Sequence, residues 1–409
     1  MKKALFLGSL FLSDVEKDIV KNTKSGIIQY AANNYQKAII DGLSLNMRTI
    51  EVVSAPFIGA YPKQYKTMYF KNHDRINSPY HVRYVNFNNA WGYKNISRAF
   101  HLKRVIRKMD LSQYKEVYVY SAHTPFLEAA KTIKKKYPNI KTCLFVPDLP
   151  EYMNLSNKQP LIYRILKNID NKKQVKLMKY IDSFVLITEA MKDKLPVFNK
   201  PYEVMEAIAT TSDESFDINS EAIARFDEIS KLGPTILYTG TLNERFGIID
   251  LLEAFKKPFL NAQLVICGDG DTKTRLYEII KTRTHIHYLG NLTNKEAVAL
   301  QQRATILVNP RSNEEDFTKY SFPYKTVEYL KSGRPVVMAR LSGIPIIYEN
   351  YINYLDSTKP EDIKIKLEEL LSLTKEELDK KGAKGRAFIL ENKTPEKALK
   401  NVCAMIEKL

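Results

Sequence analysis

The sequence predicts an α/β protein built from two doubly wound parallel sheets in tandem. Three observations lead there. The chain has 409 residues with 44% apolar composition, too long for one core and too apolar for disorder. From about residue 233 onward, short apolar runs alternate with amphipathic helical segments. The first half repeats that alternation less cleanly, and the two halves differ in charge.

The elements read in order. The opening run Ala4 to Leu12 follows two lysines, as a secretion signal would. It contains Gly8 and Ser9, though, and acidic residues follow at once, so a buried first strand fits better. A helix is expected over GIIQYAANNYQKAIIDGL, starting at Gly26. Strands are expected at TIEVVSA, EVYVYSA, TCLFVPD and SFVLITE, with a helix over PFLEAAKTIKKKY. In the second half, TILYTG, AQLVICGDG, IHYLGN, TILVNP and RPVVMAR read as strands, each of the first four followed by a helical segment. Strand, turn and helix at this spacing make a parallel sheet covered on both faces. The expected domains are 1–205 and 206–393, hinged in the acidic stretch near 205–233, with the helical tail 394–409 free to pack back on either domain, the first included.

Composition narrows the function. Lysine plus arginine exceed aspartate plus glutamate by 63 − 46 = 17. Residues 1–200 hold 34 basic and 15 acidic residues, a balance of +19, and the remainder balances at −2. A uniformly basic nucleic-acid coat is therefore not the expectation. Cys143, Cys267 and Cys403 lie in apolar runs without metal-ligand spacing, which points to buried thiols in a reducing cytoplasm. No run approaches the ~20 apolar residues that span a bilayer.

The sharpest segment is SFPYKTVEYLKSGRPVV, residues 321–337. Pro323 stands where a helix should begin, Ser321 is the expected cap, and Gly333 with Pro335 should end it. A helix start with Lys325 in its first turn suits a diphosphate, and Glu328 on the same face suits the two hydroxyls of a ribose. An ordinary amphipathic helix with a Lys–Glu pair is the plainer alternative.

This segment resembles the donor-site helix of the family 4 retaining glycosyltransferases of the GT-B fold. It is similar to the branch that reads Phe-Pro-x-Lys-x-x-Glu-Tyr, through Phe322, Pro323, Lys325, Glu328 and Tyr329. Tyr320 stands where other members carry a first glutamate. The resemblance implies two Rossmann-like domains facing each other across a cleft, with Glu328 on the donor ribose and Ser321, Phe322, Pro323 and Tyr324 beside it. YTGTLNERFGIIDLLEAF (238–255) is similar to the segment whose arginine and lysine hold the donor phosphates. Here Thr241 and Phe246 occupy those two positions, after Gly240. Arg245, one residue early, either takes over the phosphate role or is a plain loop residue; a guanidinium suits the former. Gly268 and Gly270 match the second glycine-rich turn, and Lys273 falls where a nicotinamide fingerprint needs a third glycine. Leu289 and Gly290 match the base-contacting loop.

The first half resembles the family in layout. Gly26 matches its glycine loop, or is simply part of a helix cap with Ser25. His123 and Asp148 end strands facing the presumed cleft. Each either orients a sugar or acceptor hydroxyl or serves the local fold. The catalytic candidates are thus Asp148, His123, Lys325 and Arg245, with no metal and no cofactor beyond the nucleotide-sugar co-substrate.

The implied activity is retaining transfer from a nucleotide-diphosphate sugar, UDP-linked on family grounds, to a hydroxyl of a lipid-linked saccharide or related glycan. Cell-surface polysaccharide synthesis in bacteria is the implied setting. The basic amphipathic stretch 158–181 would lie on the anionic inner face of the cytoplasmic membrane, or else be a core helix with a solvated basic face. Two other readings are a nucleotide-sugar epimerase on the same fold and a basic nucleic-acid-binding protein. The first lacks placeable acid/base groups. The second has no recognition motif and leaves the 321–337 segment unexplained.

Overall fold

The computed structural model describes residues 1–26, 28–71, 75–77, 80–149, 161–195, 197, 199–209, 220–313 and 316–409. Residues 150–152 of the VPDLPEY segment, 158–160 of the basic stretch and 210–219 of the expected hinge lie outside them. The chain divides into two compact units. One is Met1–Thr210 with Pro395–Leu409, and the other is Thr211–Thr394.

The described residues of unit 1 form the strands β1 (Lys2–Gly8), β2 (Arg48–Ser54), β3 (Tyr69–Phe70), β4 (Arg75–Asn77), β5 (Tyr80–Tyr84), β6 (Phe87–Asn88), β7 (Glu116–Tyr120), β8 (Lys141–Val146), β9 (Ser183–Leu186) and β10 (Tyr202–Val204). Its helices are α1 (Ser13–Asn22), α2 (Tyr30–Leu45), α3 (Lys94–Lys108), α4 (Thr124–Lys136) and α5 (Leu161–Met178). Eight strands form one sheet in the order β10-β9-β8-β7-β1-β2-β5-β4, parallel except for the β4–β5 pair. The opening apolar run is β1, with Ala4 to Leu7 fully buried near the centre of this sheet. The chain runs outward from β1 through β2 to β5 on one side, then starts again at β7 and runs out to β10. The carboxyl ends of β1 and β7 thus flank a topological switch point.

Unit 2 repeats the plan. Its helices are α6 (Glu221–Ser230), α7 (Ile248–Ala254), α8 (Lys273–Ile280), α9 (Asn294–Arg303), α10 (Lys325–Lys331), α11 (Pro360–Leu371) and α12 (Lys375–Asn392). The strands β11 (Thr235–Thr239), β12 (Gln263–Cys267), β13 (Ile286–Tyr288), β14 (Ile306–Asn309), β15 (Val336–Ala339) and β16 (Asn353–Leu355) are all parallel, in the order β13-β12-β11-β14-β15-β16. Every residue of β11, β12, β14 and β15 is buried, as helices on both faces require. The switch point lies between β11 and β14.

The last helix, α13 (Pro395–Glu407), packs against α2 of unit 1. Its apolar face buries Leu399, Val402, Cys403, Met405 and Ile406. Arg48, itself buried, donates to Glu116 at 3.1 Å and to Glu407 at 2.9 Å, so a strand end and the final helix share one guanidinium. All three cysteines are buried and free.

Two local expectations are corrected. α2 begins at Tyr30, not at Gly26; Gly26 sits earlier in an exposed bend with φ of 94°, beside the Gln64 side chain. Ser25 therefore caps nothing at the start of that helix. Ser321 does not cap α10, which begins at Lys325 with no side-chain cap; its hydroxyl instead accepts from Arg311. The run from Leu161 to Met178 is one helix, but its residues divide: Gln174, Leu177 and Met178 are buried while Ile165, Leu166 and Ile169 face solvent.

Candidate functional site in unit 2 and the strand ends of unit 1

In unit 2 the candidate residues gather at the carboxyl ends of β11 and β14. The β11 strand ends at Thr239 and turns at Gly240, whose φ is 152°. A β-carbon there would lie 1.5 Å from Lys325 Nζ, so the lysine crosses directly over the glycine. Lys325 Nζ also stands 4.7 Å from the centre of the Tyr238 ring. Burial pushes its ammonium down to about 8; Glu328 opposes that shift and Arg311 adds to it. The group remains mostly charged at neutral pH, and among the described residues no carboxylate lies within ion-pair distance of it.

Glu328 is held from behind. Gln301, buried on α9, directs Nε2 to Glu328 Oε1 at 2.8 Å and to Thr239 Oγ1 at 3.0 Å. Tyr329 accepts from the Thr239 backbone N–H at 3.0 Å, fixing α10 against β11. Half-buried Glu328 thus keeps one oxygen oriented by the protein, with its side chain still reaching solvent.

Arg311 is the cation that sequence reasoning missed. It follows the β14 run Ile-Leu-Val-Asn-Pro, and its guanidinium donates to Ser321 Oγ at 3.3 Å. The same group lies 4.8 Å from the Phe317 ring centre and 5.7 Å from that of Phe246. Arg245 lies 5.3 Å from the other partner of this stack, Phe317, so both arginines share one aromatic ring. A basic residue just past the end of a buried strand, opposite the β11 turn, was the available signal. Gln301 offered none beyond being a polar residue on a helix.

The remaining positions do more local work. Arg245 lies in a short turn that Asn243 caps through the Arg245 N–H at 3.0 Å. Gly247 closes that turn with φ of 75°, where a β-carbon would meet the Pro310 carbonyl. Thr241 is exposed, and its carbonyl accepts from Tyr238 Oη at 2.8 Å. At Gly268 a β-carbon would lie 1.7 Å from the Gly240 carbonyl, and at Gly270 2.1 Å from that of Leu242. The close approaches seen at these two glycines are therefore between backbone segments. Leu289 is buried, and Gly290, with φ of 83°, faces open space while its carbonyl accepts from Gly268 N–H. Phe322 packs on Tyr348, Pro323 is buried and Tyr324 is exposed. Tyr320 is buried beside Lys319. Asp271 is tied to Asn243 at 2.7 Å and Asp269 pairs with Lys273. His285 and His287 bond to Phe255 and Gln263 respectively.

In unit 1, His123 and Asp148 end adjacent strands. His123 is the residue before α4; its ring meets Phe57 edge-on at 5.2 Å and Phe126 at 5.6 Å. Burial, with Arg98 and then Lys94 nearby, drives its pKa down to about 3, so it is neutral at pH 7. Asp148 reaches solvent beyond β8, and partial desolvation lifts its carboxyl to about 6.

Comparison with known proteins agrees with this architecture. Residues 219–387 match the family described as "Glycosyl transferases group 1". A phosphatidyl-myo-inositol mannosyltransferase of Mycobacterium tuberculosis is 27% identical over 168 residues, 39% of this chain and 43% of that protein. The match thus spans less than half of the relative. Among solved structures, trehalose-6-phosphate synthase has a TM-score of 0.69 at 10% identity, over 100% of this chain and 99% of that one. Anabaena HepE in complex with UDP has a TM-score of 0.61 at 12% identity, with both chains fully covered. Sucrose-phosphate synthase of Thermosynechococcus elongatus has a TM-score of 0.63 at 14% identity, over 100% of this chain and 99% of that one. At such identities the likeness establishes the fold, which is GT-B, and the segment 219–387 carries the signature of the glycosyl transferases group 1 family.

Proposed function

We propose that the chain is a retaining glycosyltransferase that moves a sugar from a nucleotide-diphosphate sugar, a UDP-sugar, to a hydroxyl of a lipid-linked saccharide or related glycan. The observation that carries this reading is the arrangement Gln301–Glu328 beside Lys325, at the switch point of a sheet with the dinucleotide-type strand order. A carboxylate oriented by a buried amide suits a ribose diol. Cations a short distance away suit the diphosphate.

In the reaction the bond between the anomeric carbon and the donor phosphate breaks, leaving a nucleoside diphosphate with one more negative charge. The acceptor oxygen forms the new bond on the same face and gives up its proton. Stabilising the departing diphosphate is the main electrostatic demand. Lys325 answers it as a point charge, and Arg311 and Arg245 as planar forks with bidentate reach. Arg311 supplies positive charge opposite the β11 turn, where Thr241 and Phe246 stand in place of the cationic residues of the resembling family. Asp148, titrating near 6, is a candidate to orient the acceptor hydroxyl in unit 1. The similarity to a phosphatidyl-myo-inositol mannosyltransferase supports a lipid-linked acceptor. The exposed Ile165, Leu166 and Ile169 among lysines on α5 support work at an anionic membrane surface, and with it a place in cell-surface glycan synthesis.

The donor half is tested by thermal shift with UDP, GDP, CDP and ADP. UDP should stabilise the wild type most, and Glu328→Ala should lose most of that shift. Removing a charged hydrogen-bonding partner of this kind costs about 1.5–3 kcal/mol, roughly a 10- to 150-fold loss of affinity. No response to any nucleotide would sink the proposal, and an unchanged response in the variant would sink the ribose assignment.

A further inference from the structure

Unit 1 buries positive charge that nothing in the described protein neutralises. Arg98, on the inner face of α3, is only 2% exposed. Its guanidinium lies 4.4 Å from the Phe87 ring centre and 5.7 Å from that of Phe57, and donates to the Pro56 carbonyl. Its Nε has no hydrogen-bond partner. One helical turn earlier, half-buried Lys94 donates to the Ile58 carbonyl at 2.9 Å. His123 lies against the same Phe57 ring, and its buried Nδ1 is also without a partner.

Three basic side chains therefore wrap the segment 56–58, just past the end of β2, with His123 just past the end of β7. Among the described residues none of the three has a carboxylate in ion-pair range. Arg98 is held down to about 9 by burial alone, and Lys94 to about 8 by burial and Arg98. Burying cations against neutral carbonyls and rings carries a desolvation penalty that an anionic partner would offset. A core requirement does not explain it, since an apolar residue on α3 would pack against Phe57 and Phe87 without that penalty. The cluster is also approachable: Phe57, Lys94 and His123 are each half-buried, and Gly92, with φ of 78°, has open space around it. It lies past the ends of β2 and β7, the two neighbours of β1, and so beside the switch point of this sheet, where ligands of open α/β sheets bind.

We propose that Lys94, Arg98 and His123 form a binding site for a phosphate group, and that this phosphate belongs to the acceptor. The second clause rests on the transferase reading; the first does not. An ammonium, a guanidinium fork and an imidazole suit a phosphate of either origin, a soluble phosphoester or a lipid headgroup. A headgroup source is favoured by apolar side chains on the opposite, outer face of α3, where Ile96 and Phe100 are 62% and 58% exposed, and by Trp91 before the helix at 80%.

The test uses the full chain in phosphate-free buffer, titrated with glycerol 1-phosphate by calorimetry and floated with phosphatidylglycerol or phosphatidylcholine vesicles. UDP thermal shift runs in parallel. Lys94→Gln, at a half-buried position, should weaken glycerol 1-phosphate or phosphatidylglycerol binding at least tenfold and leave the UDP shift intact. Arg98→Gln should do the same; if that variant fails to fold, Lys94→Gln decides alone. Loss with the soluble ester assigns a free phosphoester, and loss with vesicles only assigns a headgroup. The proposal is overturned if neither probe binds, or if binding is indifferent to Lys94 and falls instead with Lys172→Gln and Lys176→Gln on α5. A wild type that binds the phosphate probe but ignores every nucleotide would refute the donor reading and leave this site standing.

Discussion

His123 shows how one position sets a pH response. Its folded pKa of about 3 lies below the ordinary imidazole value of 6.5, so between those values the unfolded chain binds the extra proton. Stability from this residue is present above 6.5 and is lost as pH falls toward 3. Asp148 acts in the opposite sense. Its raised pKa means that the folded state holds the proton between the ordinary carboxylate value of 3.8 and about 6, so its effect favours folding as pH falls through that window. Thermal unfolding from pH 7.5 to 4.5 separates them. His123→Phe should flatten the acid-side fall in Tm relative to wild type, and identical pH profiles would contradict the burial-driven shift.

Legibility at this scale followed motif and exposure. Lys325 and Glu328 could be read because their spacing resembles a known donor helix. Gln301, Arg311, Lys94 and Arg98 could not, because what distinguishes them is their surroundings after folding. Gln301 and Gln302 are neighbours of one type, and only the buried one reaches Glu328.

Elements were legible where burial is complete. Each strand expected in the second half is there, since strands covered on both faces read as continuous apolar runs. α3 was not foreseen, and its composition explains why. Ala99, Leu102 and Ile106 keep helical spacing on the buried face, but Ser97 and Arg98 are buried with them while Ile96 and Phe100 are exposed, which weakens the 3.6-residue signal. The start of α10 was misplaced because Ser321, a good cap by type, is engaged by Arg311 instead. The contact between α2 and α13 gives a prediction of its own. A β-carbon at Gly42 would lie 2.3 Å from the Pro395 carbonyl and 2.9 Å from the Leu399 side chain. Overpacking costs ~1–3 kcal/mol, against a helix-propensity gain of ~1 kcal/mol for alanine over glycine. Gly42→Ala should therefore lower the urea midpoint, whereas a raised midpoint would mean that α13 is free to move aside.

Across the whole molecule, the +17 charge resolves into a basic first half of +19 and a second half of −2. The α5 helix concentrates part of it, with Lys172, Lys173 and Lys176 beyond the exposed Ile165, Leu166 and Ile169. Lys173 is partly committed, pairing with Glu128 at 3.0 Å. Each free lysine near an anionic bilayer contributes about 1 kcal/mol, screened within a Debye length of ~8 Å at physiological salt. Lys172→Gln with Lys176→Gln should then weaken recovery with weakly anionic vesicles by about 30-fold at low salt, and much less at 0.5 M salt. Equal wild-type recovery with neutral and anionic vesicles would remove the membrane from the picture.

The last helix also imposes an order of assembly. Synthesis runs from the N-terminus, and domains generally fold as they emerge. When Thr394 has been made, unit 2 is complete as a continuous stretch. Unit 1, although translated first, still lacks α13, the face of α2 around Gly42 is uncovered, and Arg48 has no Glu407 to bond. The half of the protein that the ribosome makes first is thus the half that finishes last.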